Sequence, residues 1–148
     1  MGFHWYEEVP PRWDHAKARI IGGAPPGVFD FASTAAGDLL PGQWWRAEDD
    51  DRRVVGYGWM DCNWGDGEIL IAVDPDRHGW GAGTFILDQL RREAAQRGVN
   101  YIYNIVPERH PDADRVESWL KGHGFERHGE GRLLRARASV TPPHTDNR

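Results

Sequence analysis

A buried strand that leads directly into a glycine-rich turn and a helix is the feature that most constrains how this chain can fold. Residues 68–73 read Glu-Ile-Leu-Ile-Ala-Val, a nearly continuous apolar run typical of a strand buried on both faces. Residues 74–76, Asp-Pro-Asp, end the strand with turn chemistry, and glycines follow at positions 79, 81 and 83. From Thr84 to Arg97 apolar residues recur at helical spacing, and Gly98 stops the helix.

The start of this predicted helix has the properties of a phosphate site. First-turn N–H groups have no partner inside a helix and lie at the positive end of its dipole, and glycines allow an anion to approach the backbone. A pyrophosphate is the natural ligand. The spacing fits neither the Walker loop, which ends in Gly-Lys-Ser/Thr, nor the dinucleotide-binding glycine pattern. The alternative interpretation is that the glycines form only a flexible turn.

The segment from His78 to Gly83 resembles the acetyl-coenzyme A loop of the GNAT N-acetyltransferases, written Gln/Arg-x-x-Gly-x-Gly/Ala. His78 takes the Gln/Arg place, and Gly81 and Gly83 take the glycine places. Histidine departs from the pattern, although Arg77 beside it offers a positive charge. The resemblance implies acetyl-CoA as the co-substrate. The residues that it assigns to cofactor binding in this loop are His78, Gly79, Trp80, Gly81, Ala82, Gly83 and Thr84.

Periodicity and turn signals along the rest of the chain predict an α/β (α+β) fold in the element order of a GNAT domain. We expect one domain over residues 1–140, with a mixed central sheet of six or seven strands flanked by three or four helices, and a disordered tail at 141–148. The strands at 68–73 and 101–106 should be parallel neighbours. The other predicted strands are 5–9, 43–47, 53–64, 126–128 and 132–137, and the predicted helices are 11–21, 29–36, 84–97 and 112–121.

The resemblance also implies where the chemistry takes place. In this family the central strand and the strand after the cofactor helix splay apart, and their free backbone groups bind the pantetheine arm, which points to Ala72 and Val73. Acyl transfer to an amine needs a base, because an ammonium cannot attack the thioester. Glu68 resembles the base position in part of the family, although it could be only a solvated strand-end acid. Glu108 and His110 are the next candidates.

Three classes of function stay open on this evidence. Many family members carry a tyrosine as general acid in the last helix, a few residues before a Gly-Phe pair, but Trp119 and Leu120 stand at the corresponding positions before Gly124-Phe125. An active acetyltransferase for a primary amine of a small molecule or a protein is the first class. A catalytically silent CoA-binding protein that regulates a partner is the second, and an unrelated α+β binding module is the third.

Composition narrows the partners and the compartment. The net charge of −5 disfavours nucleic acid. No apolar segment is long enough to cross a membrane, and no signal peptide is apparent. Cys62 is the single cysteine, so we expect a cytoplasmic protein. One interpretation is that the acidic run at 48–51, with Asp61, Asp66 and Glu68, attracts a cationic acceptor. The alternative is that the run is only a solvated hairpin tip. A homodimer is left open.

Overall fold

The computed structural model describes residues 2–22, 34–77 and 79–139, and these form a single mixed sheet of seven strands with helices on both faces. The predicted fold class is confirmed. The strands are β1 (His4–Glu8), β2 (Gln43–Glu48), β3 (Val54–Asn63), β4 (Asp66–Val73), β5 (Tyr101–Ile105), β6 (Glu126–Arg127) and β7 (Leu133–Arg137), and the helices described are α1 (His15–Ile20), α2 (Ala82–Gln96) and α3 (Ala113–Gly122). The predicted tail at 141–148 and most of the predicted helix at 29–36 fall outside the described residues.

The strand order across the sheet is β1-β2-β3-β4-β5-β7-β6. Every neighbouring pair is antiparallel except β4 and β5, which run parallel as predicted. Antiparallel neighbours can be joined by short turns, whereas a parallel pair needs a crossover, which α2 supplies between β4 and β5. The sheet therefore changes from an antiparallel meander to a crossover at β4.

Helix α2 packs closely on β3 because β3 carries glycines at the contact. Ile86 and Leu90 are fully buried on the helix stripe that faces the sheet. A Cβ atom at Gly58 would lie 3.1 Å from both Ile86 and Leu90, and one at Gly56 would lie 2.7 Å from Ile86. The glycines of β3 thus allow the helix to approach, and this holds the first turn of α2 at the carboxyl end of β4.

Two helix starts differ from the sequence expectation. Helix α1 begins at His15 rather than at Pro11, because the Asp14 side chain caps it and accepts a hydrogen bond from the Lys17 backbone N–H at 2.9 Å. Helix α2 begins at Ala82 rather than at Thr84, with Gly81 as its N-cap in the left-handed region at φ 85°. Two residues that we expected in the loop, Ala82 and Gly83, therefore belong to the first helical turn.

A buried lysine fixes α1 on the other face of the sheet. The Lys17 side chain is fully buried, and its Nζ lies 2.5 Å from a Glu8 carboxylate oxygen and 3.3 Å from one of Asp14. The ammonium also lies over the rings of Trp44, at 5.6 Å, and Tyr57, at 4.8 Å. A buried charge is tolerated only when it is paired, so these contacts tie the six-residue helix to β1, β2 and β3.

Candidate active site

Strands β4 and β5 separate shortly after they meet. Their parallel pairing covers only Asp66 to Glu68 on β4, opposite Tyr101 to Tyr103 on β5, although β4 continues to Val73. Where the strands diverge, the Asn104 side-chain amide donates a hydrogen bond to the Ile69 carbonyl at 2.8 Å. The splay that the family resemblance implies is therefore present, and its gap opens immediately beyond Glu68.

Backbone direction decides which groups of β4 point into this gap. The Asp74 N–H donates to the Val55 carbonyl of β3 at 2.8 Å, and the register between β3 and β4 is continuous. Because alternate residues direct their backbone groups to the same neighbour, Ala72 is directed towards β3, whereas Ile71 and Val73 are directed towards the gap. The backbone direction fits the prediction for Val73, and it favours Ile71 in place of Ala72.

The glycine loop lies at the carboxyl end of the same gap. Gly79 and Gly81 have positive φ angles of 86° and 85°, and a Cβ atom at either would meet nothing within 4 Å. A Cβ atom at Gly83 would lie 3.7 Å from the Val73 side chain, so the first turn of α2 abuts the end of β4. The free N–H groups of Ala82, Gly83 and Thr84 begin this helix at a strand end, where ligands collect in sheets of this kind.

Arg77 is held by neighbouring side chains. Its guanidinium donates to Asp49 at 2.8 Å and lies 5.2 Å from the ring centre of Trp80, which is itself half exposed. The ion pair with Asp49 therefore competes with the predicted role of Arg77 as a positive charge for phosphate. His78, which was predicted to bind the cofactor, lies outside the described residues.

Asp74 fixes the turn that joins β4 to the loop. Its carboxylate accepts hydrogen bonds from Arg19 at 2.7 Å and from the Asp76 N–H at 2.9 Å, and the residue is 4% exposed. Burial alone would raise the pKa of Asp74, but the two hydrogen bonds together with the charges of Arg19 and Arg77 outweigh burial and lower the pKa below its usual value. The turn is therefore anchored to α1 by a charged pair.

Glu68 lies at the last paired position before the gap. It faces Asp61 on β3 and Tyr103 on β5. Partial burial, and secondarily the Asp61 charge, raises the pKa of Glu68 above its usual value. The pKa of Tyr103 is also raised, by burial and then by the charge of Glu68. A carboxylate with a raised pKa beside an opening in the sheet has the chemistry of a proton acceptor.

The corner between α2 and α3 is filled by an indole. Two atoms of the Trp119 ring lie 3.5 and 3.9 Å from the position of a Cβ atom at Gly83, and the ring stacks at a tilt on His123 with centroids 4.7 Å apart. Leu120 is buried in the main core, whereas Ser118 is exposed. Trp119 thus lines the corner beside the first turn of α2, near the position where the family resemblance implies a tyrosine.

The other two base candidates belong to a different cluster, at the start of α3. The His110 ring Nδ1 accepts a hydrogen bond from the Asp112 N–H at 2.9 Å, and Glu108 lies 4.0 Å from Arg132. Both line a shallow cavity of about 400 Å³ beside that helix. The structure therefore does not bring them together with Glu68, whose cross-strand neighbours are Asp61 and Tyr103.

Most of the acidic run at 48–51 makes internal contacts. Glu48 pairs with Arg46, Asp49 accepts bonds from Arg77 and two backbone N–H groups, and Asp50 accepts from the Gly2 N–H and contacts His4. These contacts leave little of the run free for a cationic acceptor, and Asp49 is buried rather than solvated as expected of a hairpin tip. Four aromatic residues of β2 and β3 are further candidates to contact an acceptor, but three are buried in the cores and only Trp59 is partly exposed: Trp44, Trp45, Tyr57 and Trp59.

Residues 41–127 match the family model described as an acetyltransferase (GNAT) domain, which covers more than half of the chain. The chain belongs to the GNAT family. The family predicted from the sequence is therefore confirmed, and with it the class of enzyme, an N-acyltransferase of the GNAT type. No curated protein sequence matches the chain. No helix in the described parts of the chain is long and apolar enough to cross a membrane.

Solved structures of GNAT proteins share the fold. A Klebsiella pneumoniae protein assigned as an acyl-CoA N-acyltransferase is 16% identical, with a TM-score of 0.68 over 93% of this chain and 98% of that one. The ribosomal-protein-S18-alanine N-acetyltransferase of Escherichia coli is 17% identical, with a TM-score of 0.62 over 97% and 100%. The PaiA N-acetyltransferase of Thermoplasma acidophilum, solved with coenzyme A, is 13% identical, with a TM-score of 0.54 over 64% and 59%.

Proposed function

We propose that this protein is an acetyl-CoA-dependent N-acetyltransferase that acts on a primary amine of a small molecule or a protein. The observation that carries the proposal is the gap between β4 and β5, which begins beyond Glu68 and ends at the glycine-rich start of α2. One end of this gap offers a proton acceptor and the other offers free N–H groups. The proposal includes a cytoplasmic location, where a single cysteine stays reduced.

The cofactor lies along this gap with its pyrophosphate on the first turn of α2. Backbone N–H groups of Ala82, Gly83 and Thr84 donate to the phosphates, and the positive end of the helix dipole favours their charge. The pantetheine arm runs between the strands and hydrogen-bonds the backbone of Ile71 and Val73. The Thermoplasma acidophilum relative, whose fold this chain shares, is a coenzyme A complex, which supports this cofactor.

Glu68 accepts the proton that the acceptor ammonium must lose. Its raised pKa makes the carboxylate a better base than an ordinary glutamate and still leaves it ionised once the pH exceeds that pKa. The neutral amine then attacks the thioester carbonyl carbon, so that a C–N bond forms and the C–S bond breaks. A water molecule can relay the proton where the amine does not contact Glu68 directly.

The family resemblance implies a tyrosine general acid near the position of Trp119, whose indole contacts Gly83 at the start of α2. An indole is only an N–H donor and has no exchangeable acid in the working pH range. Solvent therefore supplies the proton that converts the CoA thiolate to the thiol. This departure from many family members costs the enzyme one general acid and leaves Glu68 as the group that carries the proton chemistry.

Two measurements test the proposal. Isothermal titration with acetyl-CoA should show binding, and thiol release from acetyl-CoA should accelerate when a primary amine from a broad panel is added. Binding without thiol release for every amine would support the silent CoA-binding alternative. Absence of binding by the folded protein would support the unrelated binding module instead.

A further inference from the structure

Charged and aromatic side chains form two rows across the face of the sheet on which Glu68 lies. Directly opposed residues on paired strands point to the same face. The strand registers place Asp61, Glu68, Tyr103 and Arg135 side by side on β3, β4, β5 and β7. The same registers place a second row beside the first, and its members are Asn63, Asp66, Tyr101 and Arg137.

Each row therefore carries an acid of β4, a tyrosine of β5 and an arginine of β7, and the first row also carries Asp61 of β3. The carboxylates form one column on β4, the phenol rings a second on β5, and the guanidinium groups a third on β7. Helices α2 and α3 pack on the opposite face, where their buried residues meet Ile102 and Leu134. Among the described residues, no helix covers this face at β5 and β7, and Ile105 at its edge is 50% exposed.

Both arginines lean over one tyrosine, Tyr101 of the second row. The guanidinium carbon of Arg135 lies 4.2 Å from the ring centre of Tyr101, and that of Arg137 lies 5.5 Å from the same ring. No ion pair in the described part of the chain includes either arginine, although Glu126 stands opposite Arg135 on β6. A pair of guanidinium groups over one ring is a ready site for a carboxylate, because each can donate two parallel hydrogen bonds.

We infer that the acceptor of the proposed acetyl transfer is a zwitterion, an amino acid or a short peptide whose ammonium lies at Glu68 and Asp61 and whose carboxylate lies at Arg135 and Arg137. This inference rests on the proposed function, since it assigns the substrate of the same site. Arg135 is then a specificity-determining residue, because it contacts the substrate remote from the reacting nitrogen.

The spacing of the columns fits such a molecule. Neighbouring strands lie about 4.8 Å apart, so β4 and β7 are separated by about 10 Å. Both guanidinium groups lie over Tyr101 on β5, which is opposite Asp66. Glu68 therefore lies one strand spacing across and two residues along, about 8 Å away. The ammonium and carboxylate of one amino acid, or the two ends of a short peptide folded over the tyrosines, can reach both columns.

A polycationic acceptor fits this face poorly. A diamine would gain from Asp61 and Glu68 but would bring its second ammonium towards Arg135 and Arg137, where like charges repel each other. Specificity of this kind comes from a repulsive element as well as an attractive one. The acidic column alone would select any amine, and the arginine column narrows the choice to amines with a nearby anion.

The test compares acceptors that differ only in the carboxylate. Thiol release is measured for amino acids and dipeptides, for their C-terminal amides, and for the diamines that decarboxylation of lysine and ornithine gives. We expect kcat/KM to be at least about tenfold higher for each acid than for its amide, the equivalent of one charge-assisted hydrogen bond. The amide amine is the more easily deprotonated, since it lacks the carboxylate that favours the ammonium. Chemical reactivity therefore works against the expected order.

Arg135 variants separate recognition from folding. Arg135→Gln should bring the ratio of acid to amide close to one, Arg135→Lys should retain part of it, and Arg135→Glu should shift the preference to diamines. Arg92→Gln, an exposed arginine of α2 on the opposite face, is the matched control and should keep the parent ratio. Unchanged acetyl-CoA affinity in each variant shows that the protein is folded.

The outcomes distinguish this inference from the function on which it rests. Turnover of amides or diamines as fast as the acids, or a parent ratio in Arg135→Gln, would overturn the zwitterion inference and leave the acetyltransferase standing. Binding of acetyl-CoA without turnover of any amine would remove both.

Discussion

The surroundings of Glu68 in the folded protein disfavour its charged form. It is partly buried and stands opposite Asp61, and both effects raise its pKa above the value of 4.5 that it has in an unfolded chain. The folded state therefore binds the proton of Glu68 more tightly than the unfolded state does. By linkage, stability falls as the pH rises from about 4.5 through the higher folded pKa.

Replacing Glu68 by glutamine should remove this penalty. At pH 7 we expect the free energy of unfolding to rise by about 0.2–1 kcal/mol, the usual size of a cross-strand pair. At pH 4 and below, where the parent side chain is protonated, the difference should vanish. Urea unfolding of both proteins at several pH values measures this. A Glu68→Gln protein that is less stable than the parent at pH 7 would show that the carboxylate makes a favourable contact.

Single residues could be predicted only where the chemistry is local. Glu68 is recognisable as a charged residue at the start of an apolar strand, but its neighbours Asp61 and Tyr103 depend on strand register. Here the register follows from the turn at Trp64 and Gly65, whose φ angles of 55° and 85° suit a two-residue hairpin loop. A slip of one residue would place Glu68 on the other face, so no sequence argument could fix the row that contains it.

At the scale of elements, the first turn of α2 is the proposed phosphate site. Gly83 lies inside the helix with ordinary room for a Cβ atom, so Gly83→Ala should leave the protein folded and gain up to about 1 kcal/mol of helix propensity. The added methyl group would lie against Trp119 and Val73, beside the N–H groups proposed to bind the pyrophosphate, and we expect acetyl-CoA affinity to fall by tenfold or more. Titration calorimetry measures the affinity, and urea unfolding measures the stability.

Two further glycine variants provide the comparison. Gly122→Ala adds the same methyl group to α3, where it meets nothing within 4 Å, and should leave affinity unchanged. Gly81→Ala should weaken binding and also cost about 1–2 kcal/mol of stability, because its φ of 85° is left-handed. If Gly83→Ala binds acetyl-CoA as tightly as Gly122→Ala, the phosphates lie elsewhere.

Element types were more predictable than element ends. The stripe of Ile86, Leu87 and Leu90 identifies α2 from periodicity alone, and all three are fully buried. Its start was missed by two residues because glycines in a helical first turn have no propensity signal that separates them from a loop. The start of α1 was missed because Pro11 also suits a first helical turn. Asp14 caps the helix instead and determines where it begins.

At the scale of the whole molecule, stability towards acid depends on the ion pairs between α3 and the last strands. Glu117 is 6% exposed, and Arg127 donates two hydrogen bonds to it at 2.6 and 2.7 Å. Lys121 adds a contact at 3.0 Å. The bonds from Arg127, and then those from Lys121, lower the pKa of Glu117 to about 2.

The sign of this shift predicts how the protein unfolds in acid. A lowered carboxyl pKa contributes stability above the unfolded value of 4.5, and the contribution is lost as the pH falls through about 2. Glu117→Gln should therefore be less stable than the parent at pH 7, and the difference in stability should narrow as the pH falls from 4.5 towards 2. Thermal unfolding across this range measures it, with exposed Glu130→Gln as the control. A stability difference that stays constant in acid would show that the ion pairs of Glu117 contribute little.

The whole fold could be predicted because its order of elements is distinctive, whereas the site could be predicted only in part. A strand, a glycine turn and a helix placed after an antiparallel meander lead to a parallel pair beside β4, and the gap follows from that pair. The tertiary contacts of Arg77 with Asp49, and of Trp119 with Gly83, join residues far apart in the chain. No local pattern encodes such contacts, so they emerged only from packing.

The pH dependence of turnover in the parent and in Glu68→Gln tests the proposed acetyltransferase most directly. With saturating acetyl-CoA and an accepted amine, Glu68→Gln should turn over about 100- to 10,000-fold more slowly at neutral pH, about 3–5 kcal/mol of barrier, with unchanged acetyl-CoA affinity. The deficit should shrink above pH 9, where more of the amine is already free. A Glu68→Gln enzyme as fast as the parent at pH 7 would contradict the assignment of Glu68 as the base.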